Sequence, residues 1–134
     1  MGVSSKAGPA RKLVIWRDSV SAGDDCDAPH ALQLDLGGNE TLQEIIDRLV
    51  SANYLASISG GRATWIFEAG SRPLAVIAQQ WPQARALVDA AQGYAQFVDA
   101  RGECHFNFKY WCQADPERVF ACLREGKPLP DKYA

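Results

Sequence analysis

Thr41-Leu42-Gln43-Glu44 is the segment that most constrains how this chain folds. A Thr followed three residues later by a Glu is the capping-box pattern. The hydroxyl and the carboxylate each engage a backbone N–H that a helix start leaves unbonded. Leu42, Ile45, Ile46, Leu49 and Val50 then recur at helical spacing, so one face of the helix is apolar. The pattern predicts a helix over 41–52. A stripe of that kind is stable only when packed on another surface.

The flanking runs supply such a surface, because they carry strand signals. Lys12-Leu13-Val14-Ile15-Trp16-Arg17 is a β-branched and aromatic run of strand length. In residues 31–36 (ALQLDL), Leu32, Leu34 and Leu36 face one way and Ala31, Gln33 and Asp35 the other. Residues 63–68 (ATWIFE) and 73–78 (PLAVIA) flank the hairpin-length turn Ala69-Gly70-Ser71-Arg72. The second of these runs is apolar on both faces, as a strand covered on both sides would be. Residues 83–92 (QARALVDAAQ) read equally as a short helix or as an edge strand.

Tyr94–Val98 and Glu103–Cys112 read as a final hairpin around Asp99-Ala100-Arg101-Gly102. In its second arm Cys104, Phe106, Phe108, Tyr110 and Cys112 share one face. His105, Asn107, Lys109 and Trp111 share the other. Asp115-Pro116 opens a last helix, with Asp as N-cap and Pro at the first position. Val119, Phe120 and Leu123 form its stripe, and Gly126 ends it.

This element order predicts a single α+β domain over 12–126, with a mixed or antiparallel sheet packed by two helices. Residues 1–11 form a flexible tail and 127–134 a C-terminal one. A hairpin followed by a helix and further strands resembles a β-grasp (ubiquitin-like) arrangement or another α+β sandwich. The tail Asp131-Lys132-Tyr133-Ala134 lacks the terminal Gly-Gly of a conjugated modifier.

Composition narrows the function classes. The chain has 134 residues, 47% hydrophobic and 22% charged, with a net charge of −2. That suits one soluble domain with a real core and disfavours nucleic acid as the main ligand. No apolar run approaches the roughly 18 residues of a membrane span, and residues 1–12 hold no signal-peptide core. Cys26, Cys104, Cys112 and Cys122 include no CxxC spacing, so they read as free thiols in a reducing cytoplasm.

The charge is unevenly placed. Residues 1–17 hold four basic residues and no acidic one. Residues 18–47 hold eight carboxylates and no Lys or Arg. Residues 48–134 hold ten basic and eight acidic residues. Inside the acidic stretch, Asp18, Asp24, Asp25, Asp27 and His30 cluster in a Gly- and Pro-containing segment. The hard oxygen ligands of Asp24, Asp25 and Asp27 with the imidazole of His30 could hold a metal, and a small metal-dependent or hydrolytic enzyme with its site there is one reading. The spacing is not that of an EF-hand. A second reading is a solvated loop whose aspartates cap turns. The third is an acidic recognition surface for a basic protein.

Other chemistry finds less support. Acidic neighbours raise the pKa of Cys26 and disfavour its thiolate, which weakens a Cys26–His30 dyad. Cys104 and His105 are adjacent on a strand and point to opposite faces. Ser19 or Ser21 with His30 has no nucleophile-elbow context, and Gly37-Gly38 and Gly60-Gly61 lead into no phosphate-cradling motif. No catalytic residue, metal ligand or cofactor is assigned. Trp81, in Gln79-Gln80-Trp81-Pro82, is the candidate exposed aromatic anchor.

Across 12–82 the residues Arg17-Asp18-Ser19-Val20, Gly23-Asp24-Asp25 and Asp27-Ala28-Pro29-His30, with ISGGRATW (58–65) and AVIAQQW (75–81), form a distinctive string. The chain resembles small bacterial immunity proteins of contact-dependent or polymorphic toxin systems. That resemblance implies a cytoplasmic, non-enzymatic protein that binds and neutralises one toxin domain. Many such domains are basic nucleases, which an acidic surface suits. The expected partner-binding residues are Asp18, Asp24, Asp25, Asp27, His30 and Trp81, with no nucleic acid and no membrane as partner.

Overall fold

Alternation decides which side of each strand is buried, and the strands assemble accordingly. The computed structural model describes residues 12–18, 31–34, 40–52, 55, 61–112 and 114–130. Within these, β1 (Lys12–Arg17), β2 (Ala31–Leu34), β3 (Thr64–Ala69), β4 (Arg72–Ala78), β5 (Arg85–Ala86) and β6 (Glu103–Tyr110) form one sheet. Its order is β2-β1-β6-β3-β4-β5. The first strand lies beside the last, parallel to it, with Ile15 opposite Phe106. Every other pairing is antiparallel. The fold is a single α+β domain with a mixed sheet. A β1–β2 hairpin, a helix, and a last strand returning beside β1 are the connections on which the β-grasp comparison rests.

Helix α1 (Leu42–Ser51) forms where the capping box predicts. Thr41 Oγ1 accepts from the Glu44 N–H at 3.1 Å, and the Glu44 carboxylate accepts from the Thr41 N–H at 2.9 Å. The N–H groups of Leu42 and Gln43 donate to the carbonyls of Gln92 and Ala90, both at 3.0 Å. The free donors of the first turn are therefore met by the cap and by the turn at 90–92 that runs past it. Leu42, Ile45, Ile46 and Leu49 are buried. They pack on Leu13, Ile15, Trp65, Phe67, Ile77, Phe106 and Phe108 to form the main core. Its centre is a row of rings along β3 and β6: Trp65 on Tyr110 at 4.8 Å, and Phe67 on Phe106 and Phe108, both at 4.9 Å.

Helix α2 (Pro116–Glu125) covers the opposite side of the sheet. Asp115 Oδ1 accepts from the Glu117 N–H at 3.0 Å, Pro116 opens the helix, and Gly126 closes it at φ 72°. Val119 packs on Ile66 and Val76 in a second, smaller core with Ala114. This second layer explains why β4 is apolar on both faces: Ile77 belongs to one core and Val76 to the other. Beyond α2 the same side of the sheet carries Trp16, His105, Asn107 and Lys109. Glu68 there accepts from Asn107 Nδ2 at 2.9 Å and lies 3.5 Å from Lys109 Nζ.

Two details differ from the sequence reading, and a third, which it left open between helix and edge strand, resolves as an edge strand. Tyr94–Phe97 is a single 3-10 turn rather than a strand, and only Val98 bridges to β6, at Cys104. The completely buried Tyr94 and the backbone bond from Tyr94 N–H to Glu40 O hold the segment under α1 instead of in the sheet. Within 83–92 only Arg85–Ala86 pairs, as a two-residue edge strand on β4. β6 stops at Tyr110 because Cys112 takes a left-handed backbone (φ 56°), which turns the chain toward α2. Among the described residues, no helix is long and apolar enough to cross a membrane.

Candidate protein-binding groove

The amphipathic stripe of α1 is wider than the core it covers. Ile46 is buried, but Val50, one turn further on, is 46% exposed. Val50, Asp47 and Ser51 form one wall of a groove of about 290 Å³ at the end of β4. Ile77 and Ala78 line it from the sheet, and Trp81-Pro82-Gln83-Ala84 form the other wall. Among the described residues Asp47 is its one charged lining residue, and its carboxylate accepts from Gln43 Nε2 at 2.8 Å. The groove's volume lies at the lower edge of the roughly 300–1,000 Å³ typical of small-molecule sites.

Trp81 reaches this position because β4 ends in a turn, where the Trp81 N–H donates to Ala78 O at 3.1 Å. The indole is half-buried, packed against the second core. The Arg85 guanidinium stacks over its ring at 4.1 Å. Arg85 is in turn held by both oxygens of Glu117, at 2.7 and 2.8 Å. That pairing raises the pKa of Arg85 and holds the Glu117 carboxyl below its ordinary value. The chain thus fixes the Trp81 ring with its own cation, and a carboxylate balances that cation.

Asp18 is placed differently from the acidic recognition surface expected of it. It is half-buried, and its carboxylate accepts from the Tyr110 N–H at 2.9 Å while its own N–H donates to Phe108 O at 3.0 Å. It extends the β1–β6 ladder by one side chain. Asp24, Asp25, Asp27 and His30 lie outside the described residues.

A second polar cluster lies at the turn before β6. One ligand-type atom from each of Asp99, Glu103 and His105 falls within 4.8 Å of the others. These groups are already engaged. Asp99 Oδ1 accepts from the N–H groups of Arg101 and Glu103, at 2.9 and 3.1 Å. Glu103 Oε1 lies 3.0 Å from His105 Nε2, and Arg101 lies 3.9 Å from both carboxylates. The Glu103 N–H is the main cause that lowers the Asp99 pKa. This is a capped turn with its own cation, an arrangement that opposes a metal ion.

Neither a protein-family model, nor a curated protein, nor a solved structure matches the chain. The groove therefore rests on its own geometry. Trp81, the candidate aromatic read from the sequence, lines the groove. Asp47 and Val50 were not singled out as site residues, although Val50 at the edge of the helical stripe was the available signal.

Proposed function

We propose that this chain is a non-enzymatic, cytoplasmic protein-binding module of the immunity type, which neutralises a basic, nuclease-type toxin domain by covering it. The observation that carries this reading is the meeting of charge and apolar surface at one place. The acidic stretch 18–47 ends on α1, where Glu44 and Asp47 are exposed. Asp47, Val50 and Trp81 line one groove at the C-terminal end of that helix, while Glu44 lies in its first turn. A fixed aromatic beside an exposed aliphatic is the composition of an interface anchor, and surrounding carboxylates favour encounter with a cationic partner. The resemblance of residues 12–82 to immunity proteins supports the same reading.

The test uses the C-terminal domain encoded by the reading frame immediately upstream. Titration calorimetry with the purified chain should give one-to-one binding that weakens as salt rises, and the chain should suppress that domain's toxicity. An upstream product with no such domain, or a domain that neither binds nor is suppressed, contradicts the immunity reading.

A further inference from the structure

The geometry points to a defined occupant for the groove: an apolar side chain followed by a lysine or arginine, presented by a protein partner. This deepens the protein-binding reading above and rests on it. Ile46, Val50, Ile77 and Ala78 offer apolar lining, and Trp81 and Pro82 face them across the gap. Val50 is one of the two large apolar side chains most exposed among the described residues, and it lines this groove. The volume of about 290 Å³ accepts one large side chain with some flanking chain.

The electrostatics select the residue next to that anchor. Among the described residues Asp47 is the one charged lining side chain, and Gln43 Nε2 donates to its Oδ1. The groove also lies at the C-terminal end of α1, where the helix carries partial negative charge. Ala52 closes the helix by donating to Arg48 O. Arg48 and Arg85 do not line the groove, and Arg85 is neutralised by Glu117. A cation is therefore favoured beside Asp47, and an acidic segment would be repelled by that carboxylate. The Arg85 stack holds Trp81 before any partner arrives, so little ordering remains to be done on binding.

The experiment titrates isotope-labelled protein with acetyl-Leu-Lys-Lys-amide, acetyl-Leu-Glu-Glu-amide and acetyl-Gly-Lys-Lys-amide, read by NMR. The first peptide should shift the amides of Val50, Ser51 and Ala84 and the Trp81 indole N–H. The other two should bind at least about tenfold more weakly. Asp47→Lys, an exposed helix substitution that leaves the core untouched, should weaken the first peptide by a similar factor. Trp81→Ala should abolish the shifts. Equal shifts from all three peptides, or none at these positions from any, overturn the proposal. Binding of the upstream domain that is unaffected by both variants overturns this groove assignment while leaving the protein-binding reading in place. Peptide binding without domain binding overturns the immunity reading and leaves the groove assignment in place.

Discussion

Thr64 holds the crossover that carries the chain from the α1 side of the sheet to the α2 side. Its hydroxyl donates to Ala114 O at 2.7 Å, and both residues are fully buried. Its backbone makes two further bonds to the same segment. The Trp111 N–H donates to Thr64 O at 2.8 Å, and the Thr64 N–H donates to Cys112 O at 3.0 Å. Thr64→Val preserves the side-chain shape and both backbone bonds, and it removes only the hydroxyl. The Ala114 carbonyl is then buried without that donor, a penalty of about 1–3 kcal/mol. For a chain of this size, that corresponds to a fall in Tm of roughly 3–15 °C. Urea unfolding followed by tryptophan fluorescence should show a lower midpoint with an unchanged slope. The Cys122 thiol on α2 should also become more reactive, because the linker to its helix is loosened. A midpoint indistinguishable from that of the parent protein refutes the claim that this bond fastens α2. A changed slope shows that the substitution altered compactness instead.

Thr41→Ala removes half of the α1 cap while leaving the bonds to Gln92 and Ala90. It should cost about 1 kcal/mol in denaturant unfolding, with Thr41→Ser nearly neutral, and equal stability of all three would contradict the capping account. Burial, chiefly, pushes the Cys104 thiol up to about 12. Site-resolved alkylation near pH 8 should therefore label the half-exposed Cys112 and Cys122 well before Cys104, and comparable native-state rates would refute the packing described for β6. The Asp99 carboxyl is held below its ordinary value of 3.8, so its ionised form is the one the fold favours. That contribution is present above the unfolded pKa and is lost as the pH falls through the lower, folded value. The stability difference between the parent protein and Asp99→Asn should shrink across that acid window, and pH profiles that stay parallel there would contradict it.

The local elements were legible because short-range chemistry dictates them. The Thr41–Glu44 box started α1, the period-two alternation of Cys104, Phe106, Phe108 and Tyr110 marked β6, and Asp115-Pro116 opened α2. Gly70 at φ 61° followed by Ser71 made the two-residue β3–β4 turn. Tyr94–Phe97 misled because aromatic residues favour strands, whereas its backbone is committed to the start of α1. The parallel pairing of β1 with β6 joins opposite ends of the chain and leaves no trace in local periodicity. Arg17 is almost completely buried because it follows Leu13 and Ile15 on the inward face, a consequence the period-two rule contains but its charge conceals. The groove was half visible for the same reason. Trp81 stands out in composition, while Asp47 and Val50 acquire their meaning only when α1 is laid beside the end of β4.

The association rate with the upstream-encoded domain, measured by stopped flow at low and physiological salt, tests the central claim most directly. Charge reversal at Asp24, Asp25 and Asp27, and separately at Glu44 and Asp47, should slow association and flatten its salt dependence, with smaller effects on dissociation. Association that is insensitive to salt and to every one of these reversals would contradict recognition through the acidic third of the chain.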